Sequence, residues 1–219
     1  MTNLYCIAGL GADERLFRNL HPINYQLKFI HWVKPDEKDT LVTYADKLIP
    51  QIDQTQPYSL LGVSLGGIFT TILSSKINPI HVFVISSLKS SKEAPFVFKI
   101  FRALKVKYLL NASLLKHMKP IISFFFGKMN KTDRHLVFKM IDESDDNFLP
   151  WAAAAILEWK SNDELTPFHK IVQIVGDKDL VFRYSKIKNC KVIKGGTHIM
   201  ILNRAKEINA IINGIAIKI

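Results

Sequence analysis

Apolar residues along the chain gather into six short runs, each bounded by polar residues, Gly or Pro: Leu4–Ala8, Leu27–Val33, Tyr58–Val63, His81–Ser86, Ile171–Val175 and Lys191–Lys194. Several are near-continuous rather than alternating, the pattern of parallel strands covered on both faces. Between them the spacing changes to that of helices. Thr40–Ile52 has apolar residues at 41, 44, 45, 48, 49 and 52, which share one helical face. Leu65–Lys76 follows the third run directly, and Met200–Ile212 follows the sixth. Strands alternating with helices predict an α/β fold: about six mostly parallel strands flanked by helices and joined by right-handed crossovers.

The alternation fails once. Between Ser86 and Ile171 no segment reads as a strand, while Pro95–Leu110, Leu114–Phe126, Asp133–Ile141 and Ala152–Lys160 carry helical patterns. A structureless loop of this length is implausible inside a compact domain. The segment therefore reads as a helical insertion after the fourth strand. Open α/β sheets bind ligands beyond the carboxyl ends of their strands, so this insertion is expected to lie over any site as a lid. The expected organisation is one domain over residues 1–219, with a core of about 1–87 and 165–219 and a lid of about 88–164.

The sharpest local signal sits where the third strand meets a helix: Gly62-Val63-Ser64-Leu65-Gly66, followed by Gly67. G-x-S-x-G arises by chance in roughly one sequence in fifteen of this length at average Gly and Ser usage. Its position at a strand-to-helix turn is what gives it weight. Such a turn exposes the serine hydroxyl at the sheet edge, and small neighbours leave room for the crowded backbone. A serine hydroxyl needs a base. Of seven histidines, only His198 follows the last predicted strand, in Lys194-Gly195-Gly196-Thr197-His198. The orienting acid is expected after the fifth strand, where the chain reads Gly176-Asp177-Lys178-Asp179. Asp179 is better spaced to reach the histidine loop, and Asp177 to shape the turn. The fourth strand ends in Ser86-Ser87-Leu88 and offers no carboxylate. Oxyanion donors are expected from the backbone N–H of Leu65, next to the serine, and of Leu10, in the Ala8-Gly9-Leu10-Gly11 loop.

These elements, in this order, resemble the α/β-hydrolase superfamily over nearly the whole chain. The matching motifs are the nucleophile elbow at Gly62–Gly66, the acid turn at Gly176–Asp179 and the segment ending in His198. Two features depart from the superfamily pattern. Ala8-Gly9 stands where many members have His-Gly, and the chain begins at what resembles their third strand. The resemblance implies a serine hydrolase of the carboxylesterase or thioesterase kind, working through Ser64, Asp179 and His198 with no metal or organic cofactor. The alternative is a non-catalytic ligand-binding protein on the same fold, since a fold does not dictate a function.

Composition narrows the setting. A chain of 219 residues that is 48% hydrophobic can build one sizeable core. Two cysteines, Cys6 and Cys190, are too few for a disulfide framework and read as buried thiols in a reducing compartment. With no basic leader and no apolar run of spanning length, a soluble cytoplasmic protein is expected. The net charge of +11 is concentrated between Lys89 and Lys139, where twelve Lys or Arg face only Glu93 and Asp133. No nucleic-acid recognition motif accompanies that charge, so no nucleic acid is expected. A solvated face explains it, and so does contact with an anionic membrane surface. The resemblance adds a third explanation: an anionic or carrier-bound acyl substrate, delivered by an acidic carrier protein. The phenylalanines threaded through the same segment, among them Phe96, Phe98, Phe101 and Phe124–Phe126, suit either an apolar acyl pocket or lid packing.

Overall fold

A computed structural model describes residues 1–216; residues 217–219, which the single-domain expectation also covers, lie outside the described residues. Six strands form one sheet: β1 (Thr2–Ile7), β2 (Tyr25–Ile30), β3 (Tyr58–Val63), β4 (Val82–Ile85), β5 (Ile171–Gly176) and β6 (Lys191–Ile193). Their order is β2-β1-β3-β4-β5-β6, and every neighbouring pair is parallel. The near-continuous apolar runs are explained by burial on both faces: every residue of β3 and β4 is buried. Successive side chains alternate between faces. Leu4, Cys6, Leu61, Val63, Phe83 and Ile85 join one core, while Tyr5, Ile7 and Leu60 join the other.

Helices cover both faces. α1 (Leu41–Leu48) and α2 (Leu65–Ser74) bring Tyr44, Leu48, Ile68 and Phe69 to the second core. α1 is started by a capping box, in which Thr40 and Thr43 each satisfy the other's backbone N–H. After the helical insertion, α8 (Met200–Asn203) and α9 (Ala205–Ala216) bring Ile201, Ile208 and Ile212 to the first core.

Several element boundaries differ from the sequence reading, each for a local reason. β2 stops at Ile30 rather than Val33. It is an edge strand whose only neighbour, β1, ends at Ile7 opposite Ile30. Beyond that point the backbone bonds to side chains instead: His31 N–H donates to Gln51 Oε1 at 2.9 Å and Val33 N–H to the Tyr44 hydroxyl at 2.9 Å. The helix expected over Met200–Ile212 breaks at Arg204, where φ is −124°.

The insertion holds α3 (Phe96–Ala103), α4 (Ala112–His117), α5 (Lys119–Phe126), α6 (Lys131–Glu143) and α7 (Phe148–Glu158). The single helix expected over Pro95–Leu110 breaks where Lys105 takes φ +52°. The one expected over Leu114–Phe126 divides at Met118, just before Pro120 in the first turn of α5. The two halves of the insertion are anchored unequally. α6 and α7 bury Val137, Met140, Ile141, Phe148, Leu149 and Ala152, and Arg18 reaches the buried Asp133 carboxylate at 2.5 Å. No side chain of α3, α4 or α5 is buried.

The fold also rearranges the charge seen in the sequence. Seven of the twelve cations between Lys89 and Lys139 sit within 4.0 Å of a carboxylate. Their partners come chiefly from farther along the chain, as in Lys119–Asp142 (2.5 Å), Lys116–Asp146 (2.6 Å), Lys107–Glu158 (3.3 Å) and Lys92–Asp163 (2.8 Å). Pairs this exposed contribute about 1 kcal/mol or less each. They do cancel much of the local field.

Candidate active site

The chain reverses direction across the sheet between β1 and β3, which puts the loops after both strands on opposite sides of one crevice. Ser64 stands there, on the turn from β3 into α2, with φ +53° and ψ −119°. This strained backbone is held from several directions. Ser64 N–H donates to Ile85 O at 3.0 Å, Gly67 N–H donates to Ser64 O at 2.9 Å, and the Ser87 hydroxyl also donates to Ser64 O. The glycines of the motif are explained by close approach: a Cβ on Gly66 would run into the carbonyl oxygens of Ile7 and Ala8, and one on Gly62 into the backbone of Gly66.

His198, in the loop after β6, turns its ring back over the sheet edge. Its Nε2 lies 3.0 Å from Ser64 Oγ and its Nδ1 lies 3.0 Å from Asp179 Oδ2. A carboxylate can only accept, so Nδ1 carries the proton and donates to Asp179. Nε2 is then left as the acceptor of the Ser64 hydroxyl proton. The Asp179 side chain is fully buried, and its other oxygen accepts from the N–H groups of Val181 (2.8 Å) and Phe182 (2.9 Å). Asp177 is engaged elsewhere. Gly195 N–H donates to it at 2.5 Å, while Lys178 N–H donates to Gly196 O at 2.9 Å, and the two contacts tie the acid turn to the histidine loop. The imidazole is walled by Phe126 and Phe182, with ring centres at 5.1 and 5.4 Å.

Leu65 is the first residue of α2, so its N–H has no acceptor within the helix. The loop carrying Leu10 runs against the serine, and a Cβ on Gly9 would lie 3.4 Å from Ser64 Cβ. Ser64 and His198 open into a cavity of about 360 Å³, and theirs are the only polar side chains lining it among the described residues. The rest of the wall is apolar: the β1 loop and the insertion supply much of it, including Phe98, Phe101, Leu115, Ile122 and Met140, and Val63, Val181, Phe182 and Ile199 complete it. A second groove, about 420 Å³, lies between the start of α1 and α7 and is lined by none of these site residues.

Two contributors escaped the sequence reading. Phe182 lies in an irregular segment with no periodicity to mark it as a wall of the site. In the sequence Ser87 is only a position without a carboxylate, and nothing local signals that its hydroxyl braces the elbow. In the fold Ser87 packs against Gly67, on which a Cβ would collide with the Ser87 side chain.

A six-stranded parallel sheet in this order, with a strained serine turn after its third strand, is the α/β-hydrolase fold. Solved structures share it across almost the whole chain. A lipase-esterase related protein from Clostridium acetobutylicum superposes with a TM-score of 0.69 at 16% identity, covering 97% of this chain and 93% of its own. A carboxylesterase structure from Nitrososphaera gargenis gives 0.70 at 12%, covering 98% and 89%. A hydrolase from Pseudomonas aeruginosa gives 0.68 at 12%, covering 95% and 87%. Neither a protein-family model nor a curated protein matches the sequence.

Proposed function

We propose that this protein is a serine hydrolase that cleaves carboxylic esters or thioesters with a neutral, apolar acyl group. The reading rests above all on the unbroken contact chain from Ser64 Oγ through the His198 ring to Asp179, at 3.0 Å per step. The esterase and lipase-related names of the structural neighbours are in keeping with it.

Ser64 Oγ attacks the acyl carbon while His198 Nε2 takes its proton. The carbonyl π bond opens onto oxygen, and the N–H groups of Leu65 and Leu10 receive the resulting oxyanion. The imidazolium is stabilised by Asp179. It then protonates the leaving alcohol or thiol as the C–O or C–S bond breaks, giving an acyl-enzyme. A water molecule repeats the cycle: His198 removes its proton, the hydroxide adds, and Ser64 leaves with that proton.

Substrate preference follows from the cavity wall. Among the described residues it offers no Lys or Arg to pair with a buried carboxylate or phosphate, and burying an unpaired charge costs several kcal/mol. An anionic group on the substrate, or a carrier attached to it, therefore stays outside while the acyl chain enters. The insertion supplies much of that wall and acts as the lid, with α6 and α7 as its fixed base and α3–α5 as its outer part.

Steady-state hydrolysis of a p-nitrophenyl ester series by the wild type, Ser64→Ala and His198→Ala tests the assignment. Each variant is expected to lose about 10⁴-fold or more in kcat. Undiminished turnover by Ser64→Ala removes the serine from the mechanism and leaves a binding protein.

A further inference from the structure

From the outer half of the insertion we infer that α3–α5 dock the protein onto an anionic phospholipid surface, with the docked face opening on the Ser64 cavity. On α3, Phe96, Val97, Ile100, Phe101 and Leu104 are all exposed, Phe96 to 63% and Leu104 to 69%. Their spacing of i, i+1, i+4, i+5 and i+8 gathers them on one side of the helix. α5 adds Ile121, Phe124 and Phe125, with Phe124 70% exposed. Exposed apolar side chains gathered on one side of a helix in this way mark a contact with something apolar.

The charge on these helices decides what that partner is. Residues 94–132 contain no Asp or Glu, but eight Lys or Arg. Lys99, Lys105, Lys128 and Lys131 have no carboxylate within 4.0 Å among the described residues. A second copy of this chain would set the same net positive charge of residues 94–132 against itself. An anionic headgroup layer supplies the opposite charge for the lysines and acyl chains for the phenylalanines, the pairing used by helices that lie in a membrane interface. No helix among the described residues is long and apolar enough to cross a bilayer, so the contact is a surface one.

The same helices carry the cavity wall. Phe98, Phe101, Leu115 and Ile122 line it, and Phe101 is also part of the exposed stripe. An acyl chain leaving the lipid layer thus meets apolar side chains all the way to Ser64. This last link rests on the hydrolase reading, whereas docking itself does not.

Docking is measured by vesicle co-sedimentation of the full chain carrying Ser64→Ala, so that no lipid is consumed. Vesicles of phosphatidylcholine alone are compared with vesicles of equal parts phosphatidylcholine and phosphatidylglycerol. The protein is expected to pellet with the anionic vesicles at low ionic strength and to be released at about 1 M salt, where screening shortens to about 3 Å. Each lysine at such a surface is worth roughly fivefold in partitioning, so Lys99→Glu with Lys105→Glu is expected to weaken it at least about 25-fold. Phe96→Ser with Leu104→Ser and Phe124→Ser is expected to abolish it. None of these five side chains lines the cavity, so in the wild-type background both variants are expected to keep full turnover of a soluble p-nitrophenyl ester, which also reports their folding. Equal binding to both vesicle types, no binding, or binding untouched by the charge reversals overturns the inference. So does sedimentation equilibrium showing a dimer that the same substitutions dissolve.

Discussion

Replacing Asp179 by asparagine separates the chemistry of the site from its architecture. The Asp179 side chain is fully buried, with one oxygen on His198 Nδ1 and the other held by Val181 and Phe182 N–H. Asparagine is nearly isosteric, and its carbonyl oxygen can keep the two backbone donors. Its NH₂ then faces Nδ1, which must become the acceptor. The imidazole proton moves to Nε2 and points at Ser64 Oγ, so the ring no longer accepts the hydroxyl proton. The imidazolium of the transition state also loses its buried counter-charge. Loss of the tautomer and the counter-charge together is worth about 10⁴-fold in kcat, or about 5.4 kcal/mol at 1.36 kcal/mol per decade. Binding of the acyl chain is unaffected, so KM is expected to change little. The assay is kcat and KM on p-nitrophenyl butyrate for wild type and Asp179→Asn, alongside thermal unfolding of both. The expected result is a collapse of kcat, with a stability change far smaller than the kinetic loss. A kcat within tenfold of wild type in a folded Asp179→Asn protein refutes the reasoning about the tautomer. Asp177→Asn serves as the contrast, expected to loosen the turn held by Gly195 while leaving kcat within about an order of magnitude.

Further predictions follow from the same geometry. In a series of straight-chain p-nitrophenyl esters, each added methylene that enters the apolar cavity contributes about 0.8 kcal/mol, so kcat/KM is expected to climb about fourfold per carbon until the wall is reached. A flat series contradicts an acyl-binding role for that cavity. Gly66→Ala drives a Cβ into the Ile7 and Ala8 carbonyls, and is expected to yield protein that fails to fold or melts far below wild type in a thermal scan. Burial pushes the Cys6 thiol well above the ordinary cysteine range. It is expected to resist dithionitrobenzoate in the native protein and to react only after denaturation, as read by absorbance.

Much of this organisation is legible in the sequence because its signals are local. Val63-Ser64-Leu65 lies between an unbroken apolar run and a helical pattern, so the elbow can be read without knowing the rest of the chain. His198 and Asp179 are suggested by their positions after the last two strands, and the fold puts His198 within hydrogen-bond reach of Ser64 and Asp179 within reach of His198. Features that depend on distant residues are not legible in this way. Lys105 carries no glycine-like signal that it will take a left-handed conformation and split a helix. Part of the charge of residues 89–139 is met by counter-ions beyond the segment, such as Asp142, Asp146 and Glu158, and the sequence does not show which cations they reach. Phe182 reaches the wall of the site on a loop whose backbone N–H donates to Asp179, a contact no local pattern announces.

The most direct measurement on the central claim is mass spectrometry of the protein after treatment with a fluorophosphonate, which reacts only with a serine whose proton a neighbouring base can take. A single adduct on the peptide containing Ser64, absent after His198→Ala, is expected. An unlabelled protein, or an adduct on any other serine, contradicts it.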